Sequence, residues 1–166
     1  MTDDVAHFLL FQETEKNASP LTLRNYTAVL AGYADWRGSG FSCWRKETGD
    51  EFRNYLYELM KKGLKRSTIR LRFAALRSFY KYLVLRRGLA KSPVAEVQMP
   101  KIERSLPVVL SMKQIDELLE IPLKCDAPTK GPPWLKYRDV AILELFYSSG
   151  LRISELLGLD VRDVNF

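Results

Sequence analysis

Four cations, Arg66, Arg70, Arg77 and Lys81, recur at separations of 4, 7 and 4 residues, with the hydroxyls of Ser67 and Thr68 beside the first of them. At about 100° per residue this spacing places all four in one narrow stripe along a helix edge. A row of fixed positive charges with nearby hydroxyl donors suits the phosphates that line a groove of nucleic acid. A solvated helix face is the plainer reading, but such faces interleave Glu with Lys or Arg at i,i+4. No acidic residue occurs from Arg66 to Arg87.

The charge map points the same way. The chain of 166 residues carries a net charge of +6. Residues 1–60 hold 6 basic and 9 acidic side chains, residues 61–104 hold 13 and 2, and residues 105–166 hold 7 and 9. A middle block of +11 between flanks of −3 and −2 repels itself unless a polyanion is its partner.

Other chemistries lack their residues. His7 is the one histidine, which removes most general-base and metal-ligand schemes built on that side chain. Cys43 and Cys125 are far apart and outside any C-x-x-C pattern, so neither a disulfide framework nor a zinc site is expected, and no metal or other cofactor is assigned. With 46% hydrophobic and 28% charged residues the composition is that of a soluble globular protein. No apolar run reaches the ~18 residues that span a bilayer, and the acidic start Met1-Thr2-Asp3-Asp4 does not resemble a signal peptide, so no membrane association and a cytoplasmic location are expected.

The elements that must position the stripe read as helices throughout. Val5 to Phe11 begins an amphipathic helix that the pattern ends near Asn17. Ser19 before Pro20 is a start signal for a second, with Leu23, Tyr26, Leu30 and Tyr33 at helical spacing and Gly38-Ser39-Gly40 as the break. Thr48 and Glu51 form a capping box for a third helix, whose face is Phe52, Tyr55, Leu56, Leu59 and Met60 and whose end is Gly63. The fourth opens at Ser67, and Ile69, Phe73, Leu76, Phe79, Tyr80 and Leu83 fall in one apolar sector beside the stripe. Phe79, Tyr80 and Tyr82 could stack on bases, but their periodicity favours a core role.

Pro93, Pro100 and Pro107 then punctuate a basic stretch that reads as a linker. Beyond it, Ser111 and Gln114 cap a short helix with Ile115, Leu118 and Leu119 that is expected to stop at Pro122, and Leu123 to Pro133 is expected to be an exposed loop. Tyr137 to Ser149 is a further helix ending at Gly150, Leu151 to Gly158 restarts as about two turns, and Asp160 to Phe166 alternates weakly like the start of a strand.

Three stretches in this order carry a resemblance. They are Gly63-Leu64-Lys65-Arg66-Ser67-Thr68-Ile69 running into Ala75-Leu76-Arg77-Ser78-Phe79-Tyr80-Lys81-Tyr82-Leu83; the string Pro100-Lys101-Ile102-Glu103-Arg104-Ser105-Leu106-Pro107-Val108-Val109-Leu110-Ser111; and Tyr137 through Gly150-Leu151-Arg152-Ile153-Ser154-Glu155-Leu156. In register, from Leu21 onward, they resemble the tyrosine recombinases (phage integrases), and most of all the Xer-type branch that resolves bacterial chromosome dimers.

The resemblance implies an all-α chain: a helical core-binding (SAM-like) bundle over residues 1–100, a linker over 101–110, and over 111–166 the helical beginning of a catalytic domain. It implies double-stranded DNA as partner, with other recombinase subunits completing a tetramer on it, and the basic stripe as the DNA-facing edge of the fourth helix. Such enzymes cut one strand with a tyrosine, pass through a 3′-phosphotyrosyl intermediate and rejoin strands without metal. The phosphodiester gains negative charge as the tyrosine attacks, and fixed cations answer it.

By resemblance Arg152 is the first catalytic arginine and Glu155 its acidic support. An Arg–Glu pair at i,i+3 is also a common surface ion pair of little worth, and spacing alone does not choose between the two. The family's later groups, a hairpin lysine, an H-x-x-R pair, a further His or Trp and the nucleophilic tyrosine, have no counterpart up to Phe166, because the eight tyrosines all precede Arg152. The expectation is therefore a polypeptide that binds DNA without cleaving it. Two rival readings are a non-catalytic architectural DNA-binding module and a helical adapter whose basic face meets acidic proteins.

Overall fold

The computed structural model describes residues 3–101, 106–124 and 132–163, and among them every regular element is helical. The chain divides into two compact units, Met1–Arg104 and Ser105–Phe166.

The first unit is a four-helix bundle of α1 (Asp3–Thr14), α2 (Pro20–Arg37), α3 (Gly49–Lys61) and α4 (Arg66–Arg86). α2 starts where Ser19 accepts a hydrogen bond from the Thr22 amide and Pro20 occupies the first turn, so two of the orphan groups of that terminus are accounted for. In α3 the Glu51 carboxylate takes the Thr48 amide at 2.6 Å, one half of the reciprocal cap expected from the spacing. Gly63, at φ 71°, lets the chain reverse between α3 and α4 in a conformation that a Cβ would disfavour.

α4 is the central element and packs on α1, α2 and α3. The six residues of its expected apolar sector, Ile69, Phe73, Leu76, Phe79, Tyr80 and Leu83, are all fully buried. Tyr82 is buried as well, so the aromatic residues of this helix are core and not base-stacking platforms. Phe8 of α1 meets Phe79 edge-on at 5.3 Å, and Tyr33 of α2 stacks on Phe52 of α3 at 4.6 Å. Trp44, on a 3₁₀ turn between α2 and α3, closes the aromatic cluster against Tyr33 and Phe79.

One acidic side chain lies inside. Glu47 is buried and accepts hydrogen bonds from the Tyr33 hydroxyl and from Arg37 Nε at 2.9 Å, while Arg37 also bonds Glu51. Tyr80 donates to the Trp44 carbonyl at 2.8 Å. Burial, and then the Glu47 carboxylate, push the ionisation of Tyr33 and Tyr80 far above the ordinary tyrosine range. Their contribution to stability is fully present below about pH 10, where unfolded tyrosine ionises, and is lost as pH rises above it. In an alkaline titration, phenolate absorbance from these two residues, isolated by comparison with Tyr33→Phe and Tyr80→Phe, should appear only together with loss of the helical dichroism. Early, reversible ionisation of either residue in the folded protein contradicts this.

The second unit contains α5 (Met112–Lys124), α6 (Leu135–Ser149) and α7 (Ile153–Leu157); α6 packs on both of the others. Ser111 and Gln114 cap α5 reciprocally, as their spacing predicts. Two expectations are corrected here. α5 continues through Pro122 to Lys124: the proline forfeits the bond to the Leu118 carbonyl, and with only two residues beyond it the disturbance is confined to the last turn. The alternation after Asp160 makes no strand among the described residues. Val161–Asp163 is a 3₁₀ turn, held by the Asp160 amide on Asp163 Oδ2 at 2.9 Å. The expected loop from Leu123 to Pro133 lies mostly outside the described residues, and so does Cys125. Among the described residues no helix is long and apolar enough to cross a membrane.

Candidate nucleic-acid interface

α4 begins at Arg66, one residue before the expected start, with Lys65 at the cap position and no side-chain hydrogen bond there. Ser67 and Thr68 consequently do not cap the helix. Both are exposed in its first turn next to Arg66 and Arg70. Arg77 and Lys81 lie two to four turns further on, and both are exposed too, bordering a hollow of about 410 Å³ that Val84, Leu85, Ser92 and Ala95 complete. The four cations of the stripe thus share one edge of one helix, with the buried sector beside them.

Five other arginines of the first unit are paired with carboxylates. Arg37 pairs with Glu47, Arg45 and Arg87 with Asp4, Arg53 with Asp50, and Arg86 with Glu15. Arg45 chiefly, and Arg87 after it, hold the Asp4 carboxyl below its usual range. Arg70, Arg77 and Lys81 have no carboxylate partner among the described residues. Among the described residues their positive charge therefore stays uncompensated, which is the electrostatic condition for attracting a polyanion.

What three of these cations do touch is main chain. Arg66 Nη1 donates to the Lys101 carbonyl at 3.0 Å, Arg70 Nη1 reaches the Pro100 carbonyl at 3.5 Å, and Arg77 Nη2 donates to the Val97 carbonyl at 2.7 Å. Sequence reasoning missed these acceptors, since a backbone carbonyl carries no residue-type signature. The one signal available was the apolar pair Val94 and Val97, three residues apart in the proline-punctuated stretch, and both are buried.

A cleft of about 390 Å³ opens between α2 and α4 on another side of the helix. Thr22, Tyr26, Val29, Thr68, Leu71 and Ala75 are among the residues that line it, so Thr68 borders both the stripe and a largely apolar cleft.

Arg152 and Glu155 are brought together in the second unit. Gly150, at φ 65°, ends α6 in the left-handed conformation, and two residues later Arg152 is the cap residue of α7. One Glu155 oxygen accepts the Arg152 amide at 2.8 Å and the other accepts Arg152 Nη1 at 2.8 Å. The backbone amide first, and the guanidinium second, hold the Glu155 carboxyl below its usual range. The Arg152 side chain is 81% exposed and uses one of its five donors on Glu155, leaving the remainder of its fork open to solvent or to an anion.

Comparison with known proteins adds to this geometry. A family model described as the phage integrase N-terminal SAM-like domain matches residues 5–87, which contain α1 from Val5 onward, α2 to α4 and all six residues from Arg66 to Lys81 named above. Over 99% of its length the chain is 34% identical to a protein named tyrosine recombinase XerC from Roseiflexus castenholzii, of which it covers 51%. It is 35% identical over 99% of its length to a tyrosine recombinase XerC from Escherichia coli O157:H7, of which it covers 54%. The chain thus spans about half the length of the curated relatives it matches. A solved structure of XerA recombinase aligns over 98% of this chain and 51% of its own, with a TM-score of 0.46 and 22% identity.

Proposed function

We propose, from the premise that this chain belongs to the phage-integrase family of tyrosine recombinases, that its first unit binds double-stranded DNA in the service of site-specific strand cleavage and rejoining. The observation that carries this reading is the acid-free edge of α4, whose cations Arg70, Arg77 and Lys81 have no carboxylate partner among the described residues and lie inside the matched span. Arg66, Arg70, Arg77 and Lys81 meet phosphates on this reading, and the exposed hydroxyls of Ser67 and Thr68 add neutral donors. Arg152 is the phosphate clamp. Its fork donates to the non-bridging oxygens as charge builds on them, and Glu155 is a positioning residue that fixes the guanidinium from below. Further subunits assemble on the same duplex.

The polypeptide of 166 residues is proposed to bind without cutting, because its tyrosines all precede Arg152 and the family's H-x-x-R pair has no counterpart around His7. Fluorescence anisotropy of a labelled duplex tests the binding. Affinity should fall linearly in log–log form as salt rises, with a slope of several units, because each neutralised phosphate releases about 0.9 counterion. Absence of duplex binding, or binding indifferent to salt, removes the DNA reading and favours an adapter for acidic proteins. A suicide duplex should yield no covalent protein–DNA adduct, and its appearance refutes the non-cleaving assignment.

A further inference from the structure

The carbonyl contacts of the basic edge follow an order. Arg77, furthest along α4, holds Val97; Arg70 reaches Pro100; and Arg66, at the start of the helix, holds Lys101. Residues 97–101 therefore run back along α4 towards its N-terminus, laid against the edge that carries Arg66, Arg70 and Arg77.

The two ends of this segment are held differently. Val94 and Val97 are buried and Met99 packs on the core, so the Val97 carbonyl is fixed by its neighbours and its bond to Arg77 is partly shielded from water. The contacts of Arg70 and Arg66 lie beyond the last apolar anchor and are exposed. A carbonyl is a neutral acceptor, whereas a phosphate oxygen is charged and its pairing also releases counterions. At the exposed end phosphate wins the competition for guanidinium donors; at the shielded end the carbonyl keeps its place.

We propose that residues 97–101 form a latch on the basic edge of α4. Arg77 is its permanent hinge: its Nη2 stays on the Val97 carbonyl, while the other donors of its fork face the phosphates. Arg66 and Arg70 exchange the Lys101 and Pro100 carbonyls for DNA phosphates, so duplex binding releases the chain beyond Met99. This rests on the DNA-binding reading above. Because coupling between two equilibria is reciprocal, whatever loosens the latch while leaving the arginines in place must tighten DNA binding.

Met99→Ser and Pro100→Gly loosen the latch without touching any arginine. Two readouts apply to each variant and the parent: duplex affinity by anisotropy, and the initial rate of tryptic cleavage after Lys101, followed by mass spectrometry. Lys101 offers its own carbonyl as the scissile group, and that group is the one Arg66 holds. Both variants should be cleaved after Lys101 several-fold faster in the absence of DNA. Both should bind duplex roughly three- to tenfold more tightly, as expected when the binding-competent state is a minor fraction of the parent. Arg66→Ala combined with Arg70→Ala should speed the same cleavage but weaken DNA binding. If the parent binds duplex with the expected salt slope while both loosened variants bind no more tightly, the latch is refuted and the DNA reading stands. If the parent does not bind duplex at all, the DNA reading fails and takes the latch with it.

Discussion

Alanine at Arg66, Arg70, Arg77 and Lys81 together is expected to lower duplex affinity on the order of a hundredfold near physiological salt, and to flatten the slope of log affinity against log salt by about 3. The magnitude follows from counterion release, in which each phosphate contact contributes about 0.9 to the slope, so four lost contacts remove between 3 and 4. All four side chains are exposed on α4, outside the sector of Ile69, Phe73, Leu76, Phe79, Tyr80 and Leu83 that holds the bundle together, so the variant should fold. Helix propensity also favours alanine at every one of these sites. A helical circular dichroism spectrum and a cooperative melt establish folding before affinity is compared. Unchanged affinity and slope in the folded variant exclude this edge as the DNA surface.

A control of equal charge separates this surface from a general effect of basicity. Alanine at Arg45, Arg53, Arg86 and Arg87 removes the same four charges from the same unit, but each of these arginines already answers a carboxylate. Its effect on the salt slope should be small, because an arginine already paired with a carboxylate neutralises no phosphate and releases no counterion.

The helical period carried most of the fold. A repeat of 3.6 residues marks which side chains of α4 must leave water, and it separates the apolar sector from the cations beside it without any knowledge of the partner helices. Caps were equally legible, because Ser19 before Pro20, Thr48 with Glu51, and Ser111 with Gln114 answer local needs of the backbone. What escaped was non-local or lacked a side-chain signature. The carbonyls of Val97, Pro100 and Lys101 approach α4 only once the chain has turned back on itself, some 20 to 35 residues after the arginines that hold them. The weak alternation after Asp160 misled because so short a stretch satisfies several periods at once, and the aspartates there bond their own backbone and close a turn. For Arg152 and Glu155, spacing alone did not choose between a surface ion pair and a functional pair. Their union with an amide and a guanidinium on one carboxylate needed the glycine-terminated turn of Gly150 to bring α7 round.

Glu47 was the side chain least visible in advance, and its removal is expected to be the most damaging single change to the first unit. Its carboxylate is 2% exposed and sits 14 residues from Tyr33 and 10 from Arg37, both of which bond it. Glu47→Ala leaves the buried Tyr33 phenol without its acceptor and takes from Arg37 the more buried of its two carboxylates, leaving it Glu51; breaking a buried pair from one side costs about 3–5 kcal/mol. For a unit of about 100 residues this corresponds to a fall in Tm of roughly 15 to 30 °C. Glu47→Gln should lose less, because its amide oxygen still accepts from Tyr33 while its charge is gone and its NH₂ group opposes Arg37. The triple change Tyr33→Phe, Arg37→Met and Glu47→Leu should recover much of the loss, since it removes every polar group that the single variant strands. Thermal melts of the four proteins decide the matter: a loss below about 1 kcal/mol for Glu47→Ala would mean that water reaches the cluster, and a triple variant as unstable as the single one would place the cost in packing and not in stranded charge.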